Sequence, residues 1–395
     1  MVRYSTLTLA ATLLINSSLA YANEDEWEKW DDDTTSPFIV SGFAQAKYGR
    51  FLTSQPHMNT SAKDITLRLE AQYDTNVFQT QIKADSQYQM LTSDWHHQIR
   101  ELVVNVDFAN IDNEAVANSP LGNLSLKIGR QSLSWGLGEY IFLNDLFAKD
   151  WQSFFNGNDI SYLKKPNDAI KLSYFFEQSS LDVVYQHKHN VDNLYQPFMQ
   201  NVEPRRSSIN ARYYFSRLQT DYAFYASDGF ANTPQFINGK LEYAALQSVG
   251  ASLVKPVAGG LIKAEFSHYW LNNSGDHSSK QQRYLLGFER EIRPRLNLSL
   301  QAYIERDSQN FKLNNRQLVT SGLTYNSADN NWTTQMTLFH SPNHHDNYVR
   351  LSTSYRYSDN LIISGNINNL TGQNDTFFGQ LATIDNAALR ITVYF

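Results

Sequence analysis

Three sets of residues in this 395-residue chain are of types that do chemistry, and each points to a different kind. Histidines gather as His96 with His97, His187 with His189, and His344 with His345 after His340; neighbouring imidazoles can hold Zn²⁺ or Cu²⁺. On a strand, however, adjacent side chains point to opposite faces, and a preformed site takes three or four ligands, so neither a metal nor a cofactor is expected. Ser267, His268 and Asn272 form the neighbourhood a hydrolase needs, yet no second segment supplies an orienting acid. The third set is the charged residues that stand between apolar ones. It recurs along the chain, and the elements that carry it set which way each charge faces.

Ile65, Leu67, Leu69, Ala71 and Tyr73 alternate with Thr66, Arg68, Glu70 and Gln72, and the same pattern runs through Leu296 to Glu305. This is the period of a strand with two unlike faces. Eighteen such segments are expected, at 38–50, 62–75, 77–90, 97–109, 121–133, 168–177, 179–188, 206–216, 218–227, 244–255, 260–270, 281–291, 295–307, 316–325, 331–340, 346–356, 360–366 and 387–395. The weakest are 244–255 and 360–366, which leaves sixteen as the alternative count. Connections alternate long and short, with 134–167 the longest on one side and 110–120 the one oversized turn on the other. An even strand number with this asymmetry predicts an all-β fold, an antiparallel up-and-down transmembrane β-barrel with short periplasmic turns and long extracellular loops. Closure lets every backbone group pair within lipid. A soluble sandwich or propeller also alternates, but its connection lengths need not alternate by side.

The bulk numbers agree. Mean hydropathy is −0.47, and no later stretch approaches the roughly 20 apolar residues of a membrane helix. Residues 1–22, with Arg3, an apolar LTLAATLLI and Ala20-Tyr21-Ala22, read as a cleaved signal peptide. Residues 23–36 read as an acidic periplasmic lead-in carrying Trp27 and Trp30, too short for the plug of a TonB-dependent transporter, and 37–395 as the barrel. There is no Cys, so nothing is stapled, and 23 Tyr, 23 Phe and 7 Trp supply the two aromatic girdles such a barrel needs. A net charge of −6 without a basic cluster excludes nucleic acid as a partner.

The chain ends ALRITVYF, with Leu389, Ile391, Val393 and Phe395 on one face. This resembles the C-terminal recognition signal of outer-membrane barrels, which implies the barrel-assembly machinery as a partner and the Gram-negative outer membrane, with its lipid, as the location. The 134–167 loop and its flank read GRQSLSWGLGEYIFLNDLFAKDWQSFF from Gly129, too apolar for a solvated surface loop. It is the third outer loop. In position and length it is similar to the third loop of general porins, which folds into the barrel. That resemblance implies Glu139, Asp145, Lys149 and Asp150 as candidate constriction charges, and a homo-oligomer as a possible state. The Gly129-Arg130-Gln131 and Trp135-Gly136 run resembles a strand exit in alginate-export-like and related large-barrel porins. Apolar parity changes between Ile128 and Leu133, so a bulge near Gly129 is expected to turn Arg130 into the pore.

With apolar residues facing lipid, the alternating set faces the lumen. It includes Arg68, Lys83, Lys127, Arg212, Arg283 and Arg350 among ten cations, against ten carboxylates, so the wall as a whole is not strongly ion-selective. The function expected is passive diffusion of small hydrophilic solutes through a porin-like channel, without a reaction. Acidic sugars or carboxylates are candidate solutes, because a guanidinium at the waist suits them. The alternatives are a barrel sealed by the 134–167 loop and serving for docking or structure, and a hydrolase at the rim around His268.

Overall fold

The computed structural model describes residues 37–53, 59–111, 113–195, 204, 206–237, 240–272, 278–307 and 316–395. The expected signal peptide and lead-in, with Trp27 and Trp30, lie outside the described residues. The chain runs through β1 (Phe38–Phe51), β2 (Thr60–Asp74), β3 (Phe78–Gln89), β4 (Asp94–Asp107), β5 (Leu124–Ser132), β6 (Pro166–Phe175), β7 (Ser179–Gln186), β8 (Ser208–Arg217) and β9 (Thr220–Phe230). A small hairpin, β10 (Gln235–Ile237) and β11 (Lys240–Glu242), interrupts the next outer loop. The series resumes with β12 (Ala245–Val257), β13 (Gly260–Asn272), β14 (Ser278–Arg293), β15 (Leu296–Asp307) and β16 (Gln317–Asn326), and closes with β17 (Trp332–Ser341), β18 (Asp346–Ser358), β19 (Leu361–Thr371) and β20 (Asn386–Tyr394).

Each large strand pairs antiparallel with its sequence neighbours, β9 with β12, and β1 with both β2 and β20, so eighteen strands close into a barrel. The two segments that made sixteen an option are full strands of 13 and 11 residues. Past β20 the ladder continues, with Phe395 N–H donating to the Gly42 carbonyl at 3.1 Å and Gly42 N–H to that of Phe395 at 2.9 Å. Leu389, Ile391, Val393 and Phe395 all point outward and are exposed. Outward aromatics gather at the two ends, Trp332 on Tyr355 at the short-turn side and Tyr88 on Trp95 at the long-loop side. The oversized turn is built from a helix at Glu114–Ala117 capped by Asn113 and flanked by 3₁₀ turns.

Two features depart from simple parity. The strand β5 has no bulge: its registers with β4 and β6 run unbroken through Gly129. Gly129 has φ 123°, and a Cβ there would lie 2.1 Å from the Leu102 carbonyl, so glycine is required without a register change. Arg130 therefore keeps the outward parity of Ile128, contrary to expectation, while Leu133 and Trp135 are buried because they already point into the lumen. The bulge lies one strand away, in β4. Lys83 faces Glu101 but Ala84 faces Ile99, so Arg100 is the extra residue and turns inward together with Glu101.

The second departure is an apolar inner wall. Leu285, Tyr303, Leu318, Phe339, Tyr348 and Leu370, on the long-loop halves of β14 to β19, are buried facing inward. Something apolar must cover them.

Candidate functional site

The cover is the connection between β5 and β6, residues 133–165, which folds into the barrel. Trp135 packs edge-on to Phe147 at 5.0 Å and near Tyr225 of β9 at 6.3 Å, and Leu133, Ala169, Val184 and Ala223 complete that cluster. Glu265 of β13 then anchors the turn, accepting from the Leu137 N–H at 3.0 Å and from the Asn144 N–H and Nδ2–H at 3.0 and 2.8 Å. The Tyr269 hydroxyl donates to the Leu143 carbonyl beside it. Further on, Tyr140 meets Phe339 at 5.4 Å, and Phe154 and Phe155, on the short helix Trp151–Phe155, meet Tyr348 at 5.8 and 5.3 Å. Each such ring pair adds about 0.5–1.5 kcal/mol beyond its area.

On the other flank, cations hold the loop by its main chain. Lys47 of β1 donates to the Asn156 carbonyl at 2.9 Å and to Asn158 Oδ1 at 2.6 Å. Arg350 of β18 donates to the carbonyls of Phe154 and Asn158 at 3.1 and 3.0 Å. Arg100 donates to the Lys164 carbonyl at 3.0 Å and stacks on the Tyr162 ring at 4.5 Å. Arg68, forked onto Asp85 at 2.6 and 2.7 Å, covers the same ring at 4.9 Å. Burial between these charges pushes the Tyr162 hydroxyl well above its ordinary pKa.

The four loop charges expected at a constriction have separate fates. Asp145 and Lys149 form a buried ion pair at 2.9 Å; Lys149 also donates to the Phe147 carbonyl at 2.7 Å, and Ser134 to Asp145 at 3.0 Å. They brace the loop from inside. Asp150 caps the helix, accepting from the Ser153 N–H at 2.9 Å and from Asn193 at 2.9 Å. Glu139 alone of the four is exposed, accepting from Ser299 at 3.0 Å near the Lys263–Glu289 pair. Partial desolvation, then the neighbouring Glu289 carboxylate, raises its pKa. Arg130 stands apart from all of them, forked onto Asp168 at 2.7 Å on the outer face of the barrel, the two side chains 41% and 66% exposed.

A residue outside the expected set locks the loop to the next one. Asp192, between β7 and β8, accepts from the Lys149 N–H and from Trp151 Nε1–H, both at 2.8 Å, and its burial pushes its pKa up to about 6. Above the loop lies a cavity of about 250 Å³ lined by rings such as Phe142, Trp151, Tyr195 and Tyr303, with Arg283 and Glu305 among its polar walls.

The six expected lumen cations all face inward. Lys83 stands between Glu70 at 3.5 Å and Glu101 at 4.0 Å, Arg212 binds Asp182 at 2.6 Å, and Arg283 binds Glu305 at 3.3 Å. Lys127 sits directly opposite Lys171 and has no ion-pair partner among the described residues. Lys47 and Arg100 were missed. Lys47 was legible, since it has inward parity beside Gln45, whereas the β4 bulge hid Arg100.

No family model and no curated protein matches this chain. Solved structures do. OccAB1 of Acinetobacter baumannii is 8% identical, with 91% of this chain and 96% of that chain covered at a TM-score of 0.58. OccK2 (OpdF) of Pseudomonas aeruginosa, crystallised in complex with glucuronate, is 10% identical, covering 91% and 98% at 0.57. A BenF-like porin from Pseudomonas fluorescens Pf-5 is 10% identical, covering 91% and 97% at 0.57. The fold is that of the outer-membrane porins.

Within this porin fold the remaining chemistry-bearing residues are unremarkable. His268 points to the lipid side and packs against Trp270 at 4.3 Å. Among the described residues no group of three or more His, Cys, Asp or Glu could hold a metal ion.

Proposed function

We propose that this chain is an outer-membrane channel for passive diffusion of small hydrophilic solutes, with the 133–165 loop as its constriction and acidic sugars or carboxylates as the favoured cargo. The observation that carries the reading is Lys127 on the inner wall, which directly opposes Lys171 and has no ion-pair partner among the described residues, whereas Lys171 and Arg212 share Asp182 and Lys83 lies between Glu70 and Glu101. Like charges set directly opposite cost stability, so their juxtaposition in a lumen fits a surface that meets anions. The resemblance to OccK2, which was crystallised with glucuronate, supports the same solute class. Glu139, at the exposed edge of the loop, is the proposed carboxylate of the constriction. Export through the N-terminal signal, assembly guided by Leu389, Ile391, Val393 and Phe395, and association into homo-oligomers belong to the same proposal.

A sealed barrel is the second reading. It draws on the aromatic cluster that fills the space between the loop and β14 to β19. Liposome swelling separates the two. Vesicles carrying the folded protein should swell in isotonic glucuronate faster than in a neutral sugar of equal size, and Lys127→Glu with Lys171→Glu should reverse that preference. Swelling no faster than in protein-free vesicles would mean a sealed barrel, and equal rates for both solutes would remove the acidic preference.

A further inference from the structure

The flank where cations hold the loop contains more positive charge than the protein itself neutralises. Lys47 and Arg390 are direct cross-strand partners on β1 and β20, both facing inward and more than nine-tenths buried, and Arg350 is equally buried close by. The acids facing the three are Asp64 and Asp159, yet neither reaches ion-pair distance of any of them among the described residues. Lys47 and Arg350 spend hydrogen bonds on the loop carbonyls. Arg390 does not: its buried Nε–H has no partner. Diagonal to it on the same inner face, Asn366 of β19 is 96% buried, and neither polar atom of its amide has a partner among the described residues. Asn366 lies against Gly157 at the loop tip, where φ is 70° and an added Cβ would fall 1.9 Å from Asn366 Nδ2.

A buried guanidinium beside a buried ammonium is costly unless a counter-charge is present, and each orphaned buried donor adds its own desolvation penalty. The two unpartnered donors, Arg390 Nε–H and Asn366 Nδ2–H, and the Lys47 ammonium come from three neighbouring strands, and each meets the same stretch of loop: Lys47 reaches Asn156 and Asn158, Asn366 touches Gly157, and Arg390 lies within electrostatic range of Asp159. We infer that this spot is an anion site, taking a small oxyanion of the size of inorganic phosphate or sulfate as a bound counter-ion that staples the tip of the loop to the wall. The site is distinct from the Lys127 and Lys171 surface, and it does not depend on whether the barrel conducts.

The test is calorimetric titration of the folded full chain in detergent with inorganic phosphate, at ionic strength held constant with KCl. One saturable site per barrel is expected. Arg390→Gln should weaken it on the order of tenfold or more, the loss of a hydrogen bond to a charged group. Asn366→Asp, nearly isosteric, puts a carboxylate beside Arg390 and should abolish phosphate binding. Arg356→Gln, an exposed arginine toward the opposite end of β18, should leave it unchanged. Heat-modifiable gel mobility checks that each barrel is folded. Absence of saturable binding by the unaltered chain overturns the inference, as does binding that Arg390→Gln leaves unweakened or that survives Asn366→Asp.

Discussion

The two flanks of the in-folded loop are held by different physics. Toward β14 to β19 the contact is aromatic area, with Tyr140, Phe154 and Phe155 against Phe339 and Tyr348. Toward β18, β1, β2 and β4 the contact is directional, with Lys47, Arg350 and Arg100 donating to main-chain oxygens and Tyr162 held between two guanidiniums. Area burial is tolerant of sliding, whereas donor-to-carbonyl contacts fix a position to within a few tenths of an ångström. The aromatic flank therefore supplies most of the energy that keeps the loop inside, and the cationic flank determines where it stops.

That division breaks first on the aromatic side. Tyr348→Ala should release the loop at a cost of about 3–5 kcal/mol, as for large aromatic truncations in a packed core, read as protease sensitivity within 137–160 and as a larger pore. Glu265→Ala comes next. It strands the Leu137 and Asn144 backbone N–H donors, while the Asn144 amide keeps the Phe266 carbonyl, and roughly 2–3 kcal/mol of loop stability should be lost, measured by denaturant titration of loop protection.

The clasp from Asp192 sharpens the comparison through pH. Its folded pKa, about 6, lies above the roughly 3.9 of an unfolded Asp, so the folded loop prefers the protonated acid. Its contribution is complete at low pH, is lost as pH rises through that window, and is flat above it. Hydrogen exchange of loop amides should accordingly quicken between pH 4 and pH 6 beyond its intrinsic pH dependence, and Asp192→Asn should remove the excess. On the cationic flank, Tyr162→Leu should cost about 1 kcal/mol and widen the distribution of open-state currents, while Tyr162→Phe, which keeps the ring, should restore it. The smallest effect belongs to the outer face. Arg130→Ala should change stability by less than about 1 kcal/mol and leave conductance unaltered, because its exposed pair with Asp168 touches neither flank.

Strand existence is legible in the period-two alternation of the wall segments, and the topology in the side-to-side difference in loop length. The site was legible only in outline. The apolar content of 134–167 announced a buried loop, but sequence parity assumes that apolar means lipid, and Leu285, Tyr303, Leu318 and Phe339 break that rule because the loop is their solvent. The only trace was adjacent apolar pairs, such as Leu285 with Leu286, where one residue must face each way. Arg130 was misplaced for the same reason. The inward Leu133 and Trp135 mimic a change of register, but the strand simply continues into a loop that lies within the lumen. The bulge at Arg100 does leave a mark, the three-residue step from outward Ile99 to outward Leu102, but inward Val103 directly after it fills both parities with apolar residues and hides the shift. Asp145 and Lys149 brace the loop instead of lining a constriction, and nothing in their spacing says whether an i, i+4 pair faces water or the loop interior.

If the 133–165 loop narrows an otherwise open lumen, removing it must enlarge the pore. Single-channel conductance in planar bilayers, comparing the full chain with one lacking residues 137–160, tests it most directly. Discrete steps from the full chain that grow severalfold on deletion are the predicted result. Equal conductance from the two would contradict it, because the loop would then not limit the pore.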